Sequence, residues 1–326
     1  MKRREFITLL SGTAAVWPLA VRAQQAAMPV VGFVIGGAAA ENARAVAAFG
    51  TGLNEAGFIE GRNVGFEFGW AEGQYQRLPA MAAELVGRQV AVIVAGTGAS
   101  ALAAKAATTT IPIVFIMGAD PVKIGAVPSL NRPGGNITGA FMLSTELEAK
   151  RLELLHEVVP AAKMVGLLVN PTFLDAETQV RDVQAAAQTM AILIITIRAS
   201  SAGDIDGAFS ELLQQRGAAL LVASDPFLFT QRNRIITLAA HHGLPAIYNW
   251  RDFAQDGGLM SYGTNLAEPY RLAGTYTGRI LKGEKPAELP VVQSTKVEFA
   301  INLKTAKTLG LTIPLPLLGR ADEVIE

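Results

Sequence analysis

Val90-Ala91-Val92-Ile93-Val94-Ala95-Gly96-Thr97-Gly98-Ala99-Ser100 runs from an unbroken apolar stretch into a glycine- and hydroxyl-bearing turn. The Ala-rich residues 99–107 that follow carry a helical period. An apolar run without polar alternation reads as a strand buried on both faces, and such strands belong to parallel sheets covered by helices. Working outward, the same unit recurs. Residues 30–35 and 113–116 are further apolar runs and 64–68 is a more polar one, while 41–56 and 75–87 read as helices. Strands alternating with helices define an α/β, doubly wound sheet.

The pattern restarts after Gly134-Gly135-Asn136. A helix over 147–159 is stopped by Pro160. Strand 164–169 ends in Asn170-Pro171, and a helix runs to about residue 190. Strand 192–197, helix 204–216, strand 219–222, helix 227–241 and a short strand 246–248 follow. Two doubly wound, Rossmann-like lobes result, as expected for a length beyond what one core usually serves. The glycine-rich, extended residues 257–263 precede a helix over 267–281 and read as a return crossing. Residues 289–292 and 297–302 read as late strands, and the tail with Pro314 and Pro316 as a surface strap.

Lys2-Arg3-Arg4-Glu5-Phe6-Ile7 is a twin-arginine start, followed by an uncharged apolar run and by Val21-Arg22-Ala23. Cationic start, apolar middle and small residue at the cut are the parts of an export signal. Residues 1–23 are therefore expected to be removed near Ala23, placing the remainder in the periplasm. The whole chain is neutral; without those residues it holds 24 basic and 27 acidic side chains, a net charge of −3. No basic stretch is interleaved with aromatics, so nucleic acid is not an expected partner. The absence of cysteine excludes disulfides, thiolate metal sites and a cysteine nucleophile.

Enzyme chemistry finds no foothold. There is no G-x-S-x-G elbow and no phosphate-binding G-x-x-x-x-G-K-[ST] loop. Gly96–Ser100 lacks the third glycine of a dinucleotide fingerprint and follows the third strand rather than the first. His156, His241 and His242 lie on helix patterns without acidic or histidine neighbours at ligand spacing, so no metal and no cofactor is expected. What the strand ends carry suits binding, because ligands of open α/β sheets lie beyond the carboxyl ends of the strands. One lobe offers Gly36-Gly37, Thr97-Gly98-Ala99-Ser100 and Asp120; the other offers Asn170, Asp225 and Tyr248. Thr97, Gly98 and Ser100 open a helix whose first N–H groups suit a carboxylate. Asp225 either receives a ligand ammonium or hydroxyl, or caps the helix starting at Pro226. Tyr248, Tyr262, Phe227 and Phe141 either clasp an apolar ligand body or fill the core.

Longer motifs carry a family resemblance. They include Thr108-Thr109-Thr110-Ile111-Pro112-Ile113-Val114-Phe115 through Asp120-Pro121-Val122, Asn131-Arg132-Pro133-Gly134-Gly135-Asn136-Ile137-Thr138-Gly139 and Lys150-Arg151-Leu152-Glu153-Leu154-Leu155. Gly257-Gly258-Leu259-Met260-Ser261-Tyr262-Gly263 and Leu281-Lys282-Gly283-Glu284-Lys285-Pro286 extend the match over the whole chain. The sequence resembles the ABC-transporter substrate-binding family that includes tryptophan- and tyrosine-type binding proteins. The resemblance implies a type I periplasmic-binding-protein fold, with hinge crossings near residues 138–143, 261–265 and 293–296. Lobe 1 would take residues 28–140 and 264–293, and lobe 2 residues 141–263 and 294–326. It also implies a monomer that carries a small-molecule ligand to an ABC permease and its ATPase, on separate chains and without membrane insertion of its own. A ligand sensor docking on a signalling receptor is the alternative output. The family often has Asn-Ser-Gly-Ser after the first strand; Ile35-Gly36-Gly37-Ala38 stands here, which points to a larger or less polar ligand. Aromatic or branched amino acids and aromatic carboxylates both fit.

Overall fold

The computed structural model describes residues 28–142, 144 and 146–326. The expected leader of residues 1–23, and Leu143 within the first expected crossing, lie outside the described residues. The chain begins with β1 (Val30–Ile35), α1 (Ala39–Glu55), β2 (Gly65–Trp70), α2 (Leu78–Gly87), β3 (Val92–Ala95), α3 (Gly98–Ala107), β4 (Ile113–Met117) and β5 (Ile137–Met142). It continues through α4 (Glu148–Val158), β6 (Met164–Val169), α5 (Ala176–Thr189), β7 (Leu193–Arg198), α6 (Ala202–Gln214) and β8 (Ala219–Val222). Next come α7 (Pro226–Thr230), α8 (Arg232–His241), β9 (Ala246–Tyr248), α9 (Arg251–Gln255) and β10 (Met260–Thr264). The last elements are α10 (Ala267–Leu281), β11 (Val292–Ser294), β12 (Val297–Asn302), α11 (Leu303–Thr308), α12 (Leu315–Leu318) and β13 (Glu323–Ile325).

Two sheets form. The first is six-stranded in the order β11-β5-β4-β3-β1-β2; the second is seven-stranded in the order β13-β12-β10-β9-β8-β6-β7. All pairings are parallel except β10 with β12. We call the first sheet with its helices lobe 1 and the second lobe 2. The chain passes between them after β5, after β10 and after β11.

Several elements differ from expectation. The extended residues 257–263 become β10, a strand of lobe 2, so the passage to lobe 1 comes after it rather than along it. The helix expected over 227–241 is two, α7 and α8, separated at Gln231. The tail is no strap: α11 and α12 pack Ala306 and Leu317 into the lobe 2 core, and β13 pairs with β12.

Each lobe buries apolar side chains on both faces of its sheet, as the β-branched runs require. In lobe 1, α1 and α10 meet almost backbone to backbone. A Cβ on Gly52 would fall 1.8 Å from the Arg271 carbonyl oxygen, and one on Gly274 2.0 Å from that of Phe49. Only glycine allows that approach.

Candidate functional site

The carboxyl ends of the strands in the two lobes face each other across a cavity of about 810 Å³, its open mouth included. The first wall is built where β3 gives way to α3. Thr97 has extended backbone at the N-cap, and its hydroxyl accepts from the Ser100 N–H at 3.0 Å and pairs with the Ser100 hydroxyl at 2.8 Å. The N–H groups of Gly98 and Ala99, both on the cavity wall, belong to the first turn and have no partner in the helix. Their partial positive charge and the helix dipole suit an anion.

The opposite wall comes from loops of lobe 2. Phe173, Leu174 and Asp175 follow β6, Ser224 and Pro226 follow β8, Phe229 lies on α7, and Trp250 follows β9. Met117, Met142, Leu266 and Tyr270 complete an apolar lining. Two donors in it lack protein partners: the Trp250 indole nitrogen is buried without an acceptor, and the Tyr270 hydroxyl makes no hydrogen bond among the described residues. Burial pushes the Tyr270 phenol up to about 12, so it stays protonated at neutral pH.

Of the residues expected at a site, Gly37, Thr97 and Gly98 line the cavity. Ser100 stands directly behind Thr97, completely buried. Side chains of neighbouring residues take up the space that a side chain at Gly36 or Gly37 would need. A Cβ on Gly36 would come 3.0 Å from Tyr75 Cε1 and 3.1 Å from Thr97 Cγ2, and one on Gly37 would come 2.8 Å from Asn42 Nδ2.

Asp225 and Asn170 sit beside the cavity in an interlobe clamp. Tyr75 of lobe 1 donates its hydroxyl to Asp225 Oδ2 at 2.6 Å. The Leu228 N–H donates to Oδ1 at 2.7 Å, so Asp225 also caps α7, and Asn170 Nδ2 lies 3.3 Å from both oxygens. Complete burial pushes the Asp225 carboxyl up to about 6, against the opposing effect of these donors. Burial, reinforced by that carboxylate, holds the Tyr75 phenol well above its ordinary range, so it remains a donor.

Three expected residues are not brought to the cavity. Asp120 spends its carboxylate on the N–H groups of Val122 (2.8 Å) and Lys123 (3.3 Å), which close the turn after β4. Tyr248 turns into the lobe 2 core, stacked on Phe253 with ring centroids 4.5 Å apart. Tyr262 packs edge-on against Phe299 at 5.9 Å, on the core side of β10. Phe141 and Phe227 are core side chains as well. Sequence reading stopped short of Trp250, two residues past Tyr248, and of the Phe173–Asp175 loop, which begins three residues past Asn170. It also passed over Tyr75, although each follows a strand end.

Further contacts join the lobes at the mouth. Arg44 Nη1 reaches Asp252 Oδ1 at 3.2 Å and Gln255 Oε1 at 3.0 Å, and Arg232 lies 3.7 Å from Glu41. At the crossings, the hydroxyls of Ser144 and Thr264 are 3.2 Å apart. Beneath them lies a fully buried pair, Glu148 and Arg151, at 2.6 Å. Arg151 donates to the carbonyls of Tyr262 (2.9 Å) and Ser144 (3.1 Å) and to the Ser224 hydroxyl (3.0 Å). Glu148 accepts from the Ser224 N–H at 3.0 Å and lies 3.3 Å from Gln179 Nε2.

Two α/β lobes, joined by three passages of chain with a cavity walled by both, define a two-lobed binding-protein architecture. The sequence matches the family model for the ABC transporter substrate binding protein over residues 30–325, and the chain belongs to that family. A tyrosine-binding protein from Clostridioides difficile (strain R20291) is 27% identical over 260 residues, covering 79% of this chain and 74% of that one. A conserved domain protein from Vibrio cholerae superposes with a TM-score of 0.84 at 26% identity, covering 91% of this chain and 99% of that one. The ABC domain from Streptococcus pneumoniae solved with L-Trp gives a TM-score of 0.80 at 24% identity, covering 90% of this chain and all of that one. The fold is that of the type I periplasmic binding proteins. Among the described residues, no helix is long and apolar enough to cross a membrane, and no cluster of metal-ligating side chains occurs.

Proposed function

We propose that this protein is the periplasmic solute receptor of an ABC importer. It takes a small organic acid with an apolar or aromatic body into the interlobe cavity and presents it to a permease and ATPase on separate chains. The observation that carries this reading is the junction of β3 and α3, where unpartnered N–H groups face a largely apolar cavity walled by both lobes. The ligand carboxylate lies at Gly98 and Ala99, with Thr97 and Gly37 beside it. The body rests among Met117, Phe173, Phe229 and Trp250. Opening and closing occur about the three passages between the sheets, and closure is favoured because only the closed arrangement touches the ligand from both sides.

Support comes from the family and from relatives described as binding tyrosine or L-Trp. Calorimetric titration of the chain without residues 1–23 against aliphatic and aromatic amino acids and aromatic carboxylates tests it. Saturable binding, accompanied by compaction in small-angle scattering, is the expected result. A flat response across that panel would overturn the reading.

A further inference from the structure

Asp175 is the one carboxylate among the cavity-lining residues, and that lining holds no lysine, arginine or histidine. The residue stands at the N-cap of α5, where an aspartate ordinarily bonds the first turn of its helix. Here the side chain makes no capping bond, and no ion pair or side-chain hydrogen bond to it occurs among the described residues. The carboxylate is only half-buried, so it is left available to a donor that enters the cavity. Burial alone pushes its carboxyl above the ordinary aspartate value, as expected for a charge whose counterpart is absent. Asp225 cannot take that role, since Tyr75, Asn170 and Leu228 already occupy both its oxygens and it does not line the cavity.

We propose that Asp175 receives the protonated amine of the ligand, so that the cavity selects an α-amino acid over the same molecule lacking its amine. The lining is then complementary to a zwitterion. The Gly98 and Ala99 N–H groups, the Trp250 indole and the Tyr270 hydroxyl supply donors for a carboxylate, and Asp175 supplies the acceptor for an ammonium. Leu174, next to Asp175, is the side chain of lobe 2 that approaches Gly98, with 3.5 Å between its Cδ2 and a Cβ built there. The loop bearing Asp175 thus lies against the α3 N-terminus, as a site binding both ends of one amino acid requires. This inference rests on the cavity being the ligand site and assigns the chemical class that site accepts.

The test is a set of matched calorimetric titrations of the wild-type chain without residues 1–23. The pairs are phenylalanine with 3-phenylpropanoate, tyrosine with 3-(4-hydroxyphenyl)propanoate, and leucine with 4-methylpentanoate. Removing the amine should weaken binding of at least one pair about ten- to a hundredfold, the worth of a charge-assisted hydrogen bond. D175N, shown to be folded by circular dichroism, should narrow that ratio about tenfold or more, chiefly by weakening the amino acid. Equal affinity within every binding pair would overturn the role of Asp175 and leave the cavity as a carboxylate site. A wide ratio that D175N does not narrow would overturn it too. If no compound of either kind binds, the solute-receptor reading fails and the inference goes with it. The wild-type comparison needs no variant, so a misfolded D175N would not shield the proposal.

Discussion

Replacing Arg151 with methionine should destabilise lobe 2 more than any surface change, and the structure sets the scale. The guanidinium is fully buried and serves four acceptors: Glu148, the Tyr262 and Ser144 carbonyls, and the Ser224 hydroxyl. Methionine matches the stem but leaves Glu148 charged and unpaired in the interior. Breaking a buried pair from one side costs about 3–5 kcal/mol. For a unit the size of lobe 2, each kcal/mol lowers the melting temperature by roughly 2–4 °C, so a fall of about 6–20 °C follows. Trp250 is the only tryptophan of lobe 2, beside Trp17 in the expected leader and Trp70 in lobe 1. A W70F background without residues 1–23 therefore makes indole fluorescence a probe of lobe 2 alone. Urea titrations of that background, of R151M, of E148Q and of E148Q/R151M would be compared at constant m-value. The double variant should recover part of the loss, because it removes the orphaned charge. A loss below about 1 kcal/mol for R151M, or strict additivity in the cycle, would refute the reasoning.

Gly274→Ala places a methyl 2.0 Å from the Phe49 carbonyl oxygen, which α1 cannot accommodate without moving away from α10. A loss of about 1–3 kcal/mol or more in lobe 1 is expected from thermal unfolding, and an unchanged melting temperature would contradict the packing described. Tyr75→Phe removes the clamp to Asp225, worth about 1.5–3 kcal/mol as a bond to a charged group. Scattering should show a larger radius of gyration at neutral pH, with solute affinity weakened about tenfold or more. The Asp225 carboxyl is raised from 3.8 to about 6, so the folded protein holds a proton there that the unfolded chain has released. That contribution, about 3 kcal/mol by linkage, is fully present below pH 3.8, lost as pH rises through about 6, and absent above it. D225N should flatten this part of the stability profile; an unchanged slope between pH 4 and 6 would show that other groups produce it.

Much of the fold was legible because its cause is local. Unbroken runs such as 30–35 and 113–116 can be satisfied only by a sheet covered on both faces, and the restart after Gly134-Gly135 marks a second sheet. The site was legible only at Thr97-Gly98-Ala99-Ser100, where strand end, hydroxyl cap and helix start occur in one stretch of chain. Glu148 and Arg151 stand one helical turn apart in sequence, yet nothing local distinguishes them from the exposed pair Lys150 and Glu153 on the same helix. Their burial follows from α4 packing beneath the passages between lobes.

Residue order by itself determined that strands alternate with helices in two series, that Thr97-Gly98-Ala99-Ser100 leads from a strand into a helix, and that Asp225 stands where a cap is needed before Pro226. These depend on neighbours within a turn or a strand. Only the tertiary structure decided which strand-end side chains face the cavity. Tyr248 is still inside β9 and turns into the core, whereas Trp250 lies past the strand end, at the start of α9, where the chain is free to turn its side chain to the cavity. It also decided the fate of the two aspartates. Asp225 meets Tyr75 from 150 residues away across the lobes and is consumed by it. Asp175, with nothing in its local sequence to mark it, is left facing the cavity with its charge unanswered.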